Sequence, residues 1–171
     1  MNFEKAIKRI LSHEGGFTQN PTDRGNWTSG RIGVGKLKGT KYGISAMTYP
    51  DEDIKNLSWE RACFLYQRDF WAPLKADRLH DGVAYQLLDF AVNSGTSNAV
   101  KAYQRALGVA ADGVFGPQSL HASNLIIESD QILLVLAERL DFMASIKSWI
   151  DFGRGWARRI AANLRYGALD S

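Results

Sequence analysis

The most constraining feature of the sequence is an amphipathic pattern that stops at a pair of glycines. Apolar residues between Asn2 and His13 recur at the spacing of one buried helix face, and they are Phe3, Ala6, Ile7, Ile10 and Leu11. Gly15 and Gly16 then end the helix. Glu14 is therefore expected beside carbonyl groups that carry roughly half a negative charge, which favours its protonated form. Such a carboxyl suits a general acid, and a solvated glutamate at a fraying helix end fits the same pattern.

A second carboxylate, Asp23, follows nine positions later in a turn-rich stretch. Pro21 and Gly25 allow the chain to fold back here, so that Asp23 faces Glu14 across a cleft. Cleavage of a glycosidic bond uses such a pair, with one protonated carboxyl for the leaving oxygen and one carboxylate that directs water or opposes positive charge. The alternative is an Asx-turn aspartate that caps its own loop, and the spacing fits both equally.

Most of the remaining chain carries helical patterns. They predict helices over Ser58 to Trp71, Asp81 to Asn93, Ser97 to Leu107, Asp130 to Lys147 and Asp151 to Leu164. The helix from Asp130 is apolar nearly all round and is expected at the centre. Residues 20–50 are rich in glycine, threonine and lysine, and they indicate loops with short strands near residues 32–36 and 42–45. With 171 residues, 45% of them hydrophobic, we expect one compact, mainly α domain with a small irregular β lobe and a helical lobe.

Composition argues against several other kinds of site. The net charge of +3 is consistent with a polyanionic target, whether cell wall, membrane surface or nucleic acid. The single cysteine, Cys63, excludes an internal disulfide and is expected to pack as a small hydrophobe. His13, His80 and His121 lack close-spaced metal-ligand pairing, so neither a metal nor another cofactor is expected. The N-terminal residues hold no apolar run, which predicts synthesis in the cytoplasm without a signal peptide.

Three short motifs give the chain a family resemblance. His13-Glu14-Gly15-Gly16-Phe17, Asp23-Arg24-Gly25 and Thr40-Lys41-Tyr42-Gly43-Ile44-Ser45 resemble signatures of glycoside hydrolase family 108, which contains phage and bacterial N-acetylmuramidases of lysozyme-like type. The resemblance implies a lysozyme-like fold in which Glu14 protonates the leaving oxygen, Asp23 orients water or stabilises positive charge, and Thr40 helps to place that water. It also implies sugar contacts, for which Tyr42, Ser45 and Asn93 are the candidates.

The chain departs from the family pattern in two ways. Asn26 replaces a second glycine, and residues 26–39 form an apparent insertion. The insertion leaves two choices for the third catalytic residue, because Thr40 fits the distance to Gly43 whereas Thr28 fits the distance to Asp23.

A second resemblance lies in residues 107–117. Leu107-Gly108-Val109 followed by Asp112-Gly113 and Gly116-Pro117 is similar to the signature of predicted peptidoglycan-binding domains, and residues 87–166 match its length. It implies a catalytic part over residues 1–80 and a helical peptidoglycan-binding-like part over residues 81–171, packed into one unit. These glycines and the proline are equally consistent with a loop that touches no ligand.

The resemblance implies an endolysin that hydrolyses the β-1,4 bond between N-acetylmuramic acid and N-acetylglucosamine and acts in the periplasm after holin-dependent release. A lytic transglycosylase and a non-catalytic wall-binding module are the alternatives. Peptidoglycan is the expected partner of a monomer, and nucleic acid is not expected. Four arginines of the last helix, Arg154, Arg158, Arg159 and Arg165, form either a solvated face or a docking site for anionic wall or outer-membrane groups.

Overall fold

A computed structural model describes residues 3–11 and 16–170 of the chain. Glu14, the predicted general acid, falls in the gap between these two ranges and lies outside the described residues. The chain divides into two compact units, one holding residues 7–67 and the other residues 1–6 and 68–171. The predicted functional division after residue 80 stays a prediction, because this boundary reflects contacts alone.

The described part of the chain is mainly helical, which confirms the predicted fold class. Its seven α-helices are α1 (Phe3–Leu11), α2 (Trp59–Tyr66), α3 (Asp81–Ser94), α4 (Thr96–Ala106), α5 (Pro117–Ser123), α6 (Glu128–Ser145) and α7 (Trp149–Asp170). A π-helical turn, Gln67–Trp71, extends α2 to Trp71, the residue at which the predicted helix ends. The hydroxyl of Ser58 caps α2 by accepting a hydrogen bond from the backbone N–H of Arg61 at 3.1 Å.

The smaller unit contains one β-hairpin. Strand β1 (Thr40–Lys41) pairs antiparallel with β2 (Ile44–Ser45) through the register Thr40 to Ser45 and Lys41 to Ile44. Its two-residue turn has positive φ at both Tyr42 (52°) and Gly43 (71°), the combination that matches the twist of a tight hairpin.

The strand expected at residues 32–36 is absent, and turns occupy that stretch. Gly33 and Gly35 adopt φ values of +76° and +81°, which are incompatible with extended backbone. The hydroxyl of Ser29 donates to the carbonyl of Val34 at 2.7 Å and so competes with strand pairing.

The larger unit is built around α3. Ten successive residues, Gly82 to Ala91, are buried in it, and α4, α6 and α7 pack against this helix. Helix α6, which the sequence analysis placed at the centre, packs against α3, α4 and α7. It is not buried all round, because Leu133 and Leu134 remain 57% and 42% exposed.

A buried ion cluster joins three of these helices. Asp89 in α3 accepts hydrogen bonds from Arg139 in α6 at 2.7 Å and from Arg159 and Asn163 in α7 at 2.6 and 2.8 Å. Burial alone would raise the pKa of Asp89, but the hydrogen bonds and charges of Arg159 and Arg139 outweigh it and lower this pKa from 3.8 to about 2. Arg159 therefore does not belong with Arg154, Arg158 and Arg165, which are exposed on α7.

We expect Asp89→Asn to lower the free energy of unfolding by about 3–5 kcal/mol near neutral pH, because it leaves the buried Arg139 and the partly exposed Arg159 without their anion. The folded-state pKa of Asp89 is depressed, so its stabilisation is present above the unfolded value of 3.8 and is lost as pH falls towards about 2. Urea unfolding at a series of pH values measures both effects.

The exposed Asp141→Asn in α6 is the matched control and should stay within about 0.5 kcal/mol of wild type. A destabilisation of Asp89→Asn that persists unchanged at the acid end of the series would contradict the assignment.

Candidate active site

Asp23 is exposed and caps a single 3-10 turn, Arg24–Asn26. Its Oδ1 accepts a hydrogen bond from the backbone N–H of Gly25 at 2.8 Å, which is the Asx-turn geometry of the alternative interpretation. A Cβ at Gly25 would come within 3.2 Å of that same oxygen, so glycine suits the position. Within the described ranges no donor reaches Oδ2 of Asp23, so the cap leaves one carboxylate oxygen for other chemistry.

Asn26 organises the surroundings of Asp23, and the sequence analysis missed this role. It is fully buried, and its side chain donates to the carbonyl of Asn20 at 3.0 Å and accepts from the hydroxyl of Thr40 at 2.7 Å. Its backbone N–H donates to the carbonyl of Asp23 at 3.1 Å. Asn26 thus connects Asp23 to Thr40, and its one visible signal in the sequence was that it replaced the expected glycine.

Thr40 is fixed through its backbone as well as through Asn26. It exchanges two backbone hydrogen bonds with Thr18, of 2.9 and 2.8 Å. The preceding residue must be glycine, because Gly39 has φ +90° and a Cβ there would lie 2.4 Å from the carbonyl oxygen of Thr18. Thr40 is therefore held against the segment that follows the Glu14 motif in sequence.

Thr28 has a different role in the structure. Its Oγ1 accepts a hydrogen bond from the backbone N–H of Lys36 at 3.0 Å, while its own N–H donates to the Lys36 carbonyl at the same distance. These bonds close the loop formed by the apparent insertion. Of the two threonines, Thr40 is the one bonded to the Asn26 side chain, and the identity of the third catalytic residue stays a prediction.

Tyr42 and Ser45 lie on the hairpin that carries Thr40. The Tyr42 ring meets Trp59 edge-on with centroids 5.6 Å apart, and Lys41 Nζ lies 5.3 Å from the ring centroid. The hydroxyl of Ser45 accepts from the backbone N–H of Thr48 at 3.3 Å. Tyr42 remains half-buried, so part of the ring stays accessible for stacking on a sugar.

Asn93 lies in a different unit from the other described candidates. Asn93 lies near the end of α3 in the larger unit, where it is exposed and accepts a hydrogen bond from the Ser94 hydroxyl at 3.2 Å. Asp23, Thr40, Tyr42 and Ser45 all belong to the smaller unit.

Two searches of the described residues bear on other kinds of site. No group of three histidine, cysteine, aspartate or glutamate side chains there could hold a metal ion. None of the helices in the same ranges is long and apolar enough to cross a membrane.

The polar groups of the motif in residues 107–117 form hydrogen bonds within the protein. The Nε2 atom of Gln104 donates to Asp112 Oδ1 at 2.7 Å and to the Val114 carbonyl at 3.0 Å, while its Oε1 accepts from the Gly113 N–H at 2.8 Å. Gly116 and Pro117 then start α5, a helix that the sequence analysis did not predict. Proline at the first helical position was the overlooked signal.

Comparison with known proteins decides the family. The family model described as Glycosyl hydrolase 108 matches residues 7–95, more than half of the chain. The chain belongs to glycosyl hydrolase family 108. It is a glycoside hydrolase, and this family supports the N-acetylmuramidase activity that the motifs implied. Asp23, Asn26 and Thr40 all fall within the matched residues.

A solved structure of a similar protein extends the comparison to the larger unit. The structure of Brucella abortus SagA is 29% identical in sequence and superposes with a TM-score of 0.84, covering 99% of this chain and 95% of that one. The lysozyme-like fold that the motifs implied is thereby supported along the whole chain. Among curated proteins, none matches this glycosyl hydrolase significantly.

We expect Thr40→Ala to reduce turnover of purified sacculi by at least about ten-fold, because it removes the hydroxyl that Asn26 positions beside the Asp23 loop. Thr28→Ala should be mild, since that hydroxyl closes a loop. Each lost hydrogen bond is worth about 1 kcal/mol, so melting temperatures measured alongside show whether the two variants are comparably folded. A greater activity loss for Thr28→Ala at equal stability would reassign the third residue.

Proposed function

We propose that the protein is a phage-type endolysin that hydrolyses the β-1,4 bond between N-acetylmuramic acid and N-acetylglucosamine in peptidoglycan. The observation that carries the proposal is the exposed Asp23 carboxylate, fixed by one oxygen within a loop of the family-matched region. A carboxylate held in this way is positioned without losing its second oxygen to the protein interior. It can therefore direct a water molecule or oppose an oxocarbenium ion.

The roles of the other residues follow from this chemistry. Glu14, from the sequence pattern, supplies the proton for the leaving oxygen, and the Thr40 hydroxyl helps to hold the attacking water. Tyr42 offers a ring face to a sugar. Ser45 in the smaller unit and Asn93 in the larger unit each offer hydrogen bonds to sugar hydroxyl groups. The catalytic part spans residues 1–80 in this proposal, and residues 81–171 hold the glycan strand as a peptidoglycan-binding-like part.

Exposed arginines of α7 support a second contact between the enzyme and the cell envelope. Arg154, Arg158 and Arg165 recur at positions that share one helix face, and all three are exposed. We propose that they dock on anionic wall or outer-membrane groups while the enzyme acts as a monomer in the periplasm, after holin-dependent release from the cytoplasm. Such contacts weaken as ionic strength rises.

A lytic transglycosylase is the second candidate, and the Asx turn of Asp23 is the observation that favours it. If capping were the whole role of Asp23, Glu14 would act alone and the sugar's own hydroxyl would capture the cation. Hydrolysis needs the negative charge of Asp23, whereas a transglycosylase does not.

We expect Asp23→Asn to lower turnover of sacculi roughly 10²-fold without loss of stability. An asparagine Oδ1 still accepts the Gly25 N–H, so the cap survives and only the charge is removed. Glu14→Gln should lower turnover by roughly 10²–10⁴-fold, because an amide has no proton to transfer. Dye release from labelled sacculi measures both.

The matched control is Asp51→Asn, an exposed aspartate in the same unit that makes the same change in charge. It should keep wild-type turnover. An Asp23→Asn enzyme as active as this control would reduce Asp23 to loop capping.

A further inference from the structure

Two adjoining hollows in the larger unit are not used by the proposed reaction. They measure about 260 and 230 Å³ and share Arg78 and Asn124 in their walls. The 260 Å³ hollow, called the basic hollow below, is lined by Lys75, Arg78, Pro117, Leu120, His121 and Asn124, together with the backbone of Gly116. Its charged lining residues are cations, and its volume suits one or two small residues of a ligand.

One wall of the basic hollow is a single 3-10 turn, Ala76–Arg78, preceded by Lys75. Lys75 lies just outside this turn, and both Lys75 and Arg78 line the hollow. The turn is anchored from below, because Ala76 is buried and Asp77 Oδ1 accepts a hydrogen bond from Trp71 Nε1 at 2.8 Å. Both cations are exposed on this fixed turn.

The backbone of Lys75 supports a role in binding. It has φ +49°, a left-handed conformation in which glycine is the easier residue and which a side chain adopts at a cost of about 1 kcal/mol or more. Non-glycine residues held in this way are concentrated at ligand clamps and active sites. The strain brings an ammonium group into the wall of the hollow where glycine would bring none.

The opposite wall is one face of α5. Pro117, Leu120, His121 and Asn124 stand at positions i, i+3, i+4 and i+7, which share one side of a helix. The other side is buried through Ser119 and Ser123. Pro117 and Leu120 supply apolar surface, and His121 and Asn124 supply hydrogen-bonding groups.

The acids near the two hollows are already engaged. Asp77 lines the 230 Å³ hollow and accepts from Trp71. Glu128 accepts from the backbone N–H of Gly82 at 2.7 Å and lies 3.8 Å from His80 Nδ1. The lining of the basic hollow includes no acid.

We propose that the basic hollow binds a free carboxylate of a peptidoglycan stem peptide. Lys75 and Arg78 pair with the carboxylate, and the apolar surface of Pro117 and Leu120 receives the methyl group of a D-alanine residue. The proposal rests on peptidoglycan as the substrate and adds that the enzyme recognises the peptide as well as the glycan.

Calorimetric titration of the full chain tests this with three probes: a disaccharide tetrapeptide from peptidoglycan, the same compound with its carboxylates amidated, and the disaccharide alone. Wild type should bind the first at least about ten-fold more tightly than the other two. Arg78→Gln should remove that difference. Arg105→Gln, the same change at an exposed residue of α4 outside both hollows, should retain it. Equal binding of all three probes by wild type would overturn the proposal.

Lys75→Gly separates binding from folding. Glycine relieves the left-handed backbone, so the variant should melt no lower than wild type and still bind the tetrapeptide roughly ten-fold more weakly. Unchanged affinity in this stable variant would contradict a role for the ammonium group.

Two further measurements distinguish a failure of the stem-peptide proposal from a failure of the proposed hydrolase activity. Turnover of peptide-free glycan strands tests the proposed hydrolase activity and should be the same for Arg78→Gln and wild type. Inorganic phosphate should not displace the tetrapeptide at equal concentration. Displacement by phosphate would mean a general anion site and would overturn the stem-peptide assignment, whatever the activity on glycan.

Discussion

The hydrogen bonds of the buried Asn26 hold together the part of the smaller unit that carries Asp23 and Thr40. The two ends of the Asn26 side chain are bonded to Asn20 and to the Thr40 hydroxyl, and its backbone N–H is bonded to Asp23. The loop with the carboxylate and the hairpin with the threonine therefore share one rigid centre, although 17 positions separate Asp23 from Thr40 in sequence. A buried amide without partners would be costly, so these bonds also specify a single arrangement of the loop.

The larger unit has a charged cluster in its core. Asp89, Arg139 and Arg159 connect α3, α6 and α7, and removal of the anion would leave two guanidinium groups without their partner. Other cations remain exposed, among them Arg154, Arg158 and Arg165 of α7 and Lys75 and Arg78 at the basic hollow.

Hydrophobic periodicity predicted α4, α6 and α7 because each one buries a stripe that recurs every three or four residues. Helix α3 was predicted as well, although it is buried continuously from Gly82 to Ala91. The prediction placed the start of α3 at Asp81 correctly and the end of α7 several residues too early. The strand expected at residues 32–36 failed because glycines with positive φ and the Ser29 hydroxyl override local apolar character. In the site, residue type and spacing predicted Asp23 and the family resemblance predicted Thr40, but neither pointed to a role for Asn26. Its importance comes from its bonds to Asn20, Asp23 and Thr40, which only the folded chain reveals, as it does the pairing of Arg159 with Asp89.

The central claim is that Asp23 takes part in hydrolysis as a second carboxylate, beyond its cap on Gly25. Mass spectrometry of the muropeptides released from purified sacculi tests it most directly. If Asp23 directs water, the products carry a free reducing-end N-acetylmuramic acid. Products that are predominantly the 1,6-anhydro form, lighter by one water molecule, would contradict the account and leave Asp23 as the cap of its own loop.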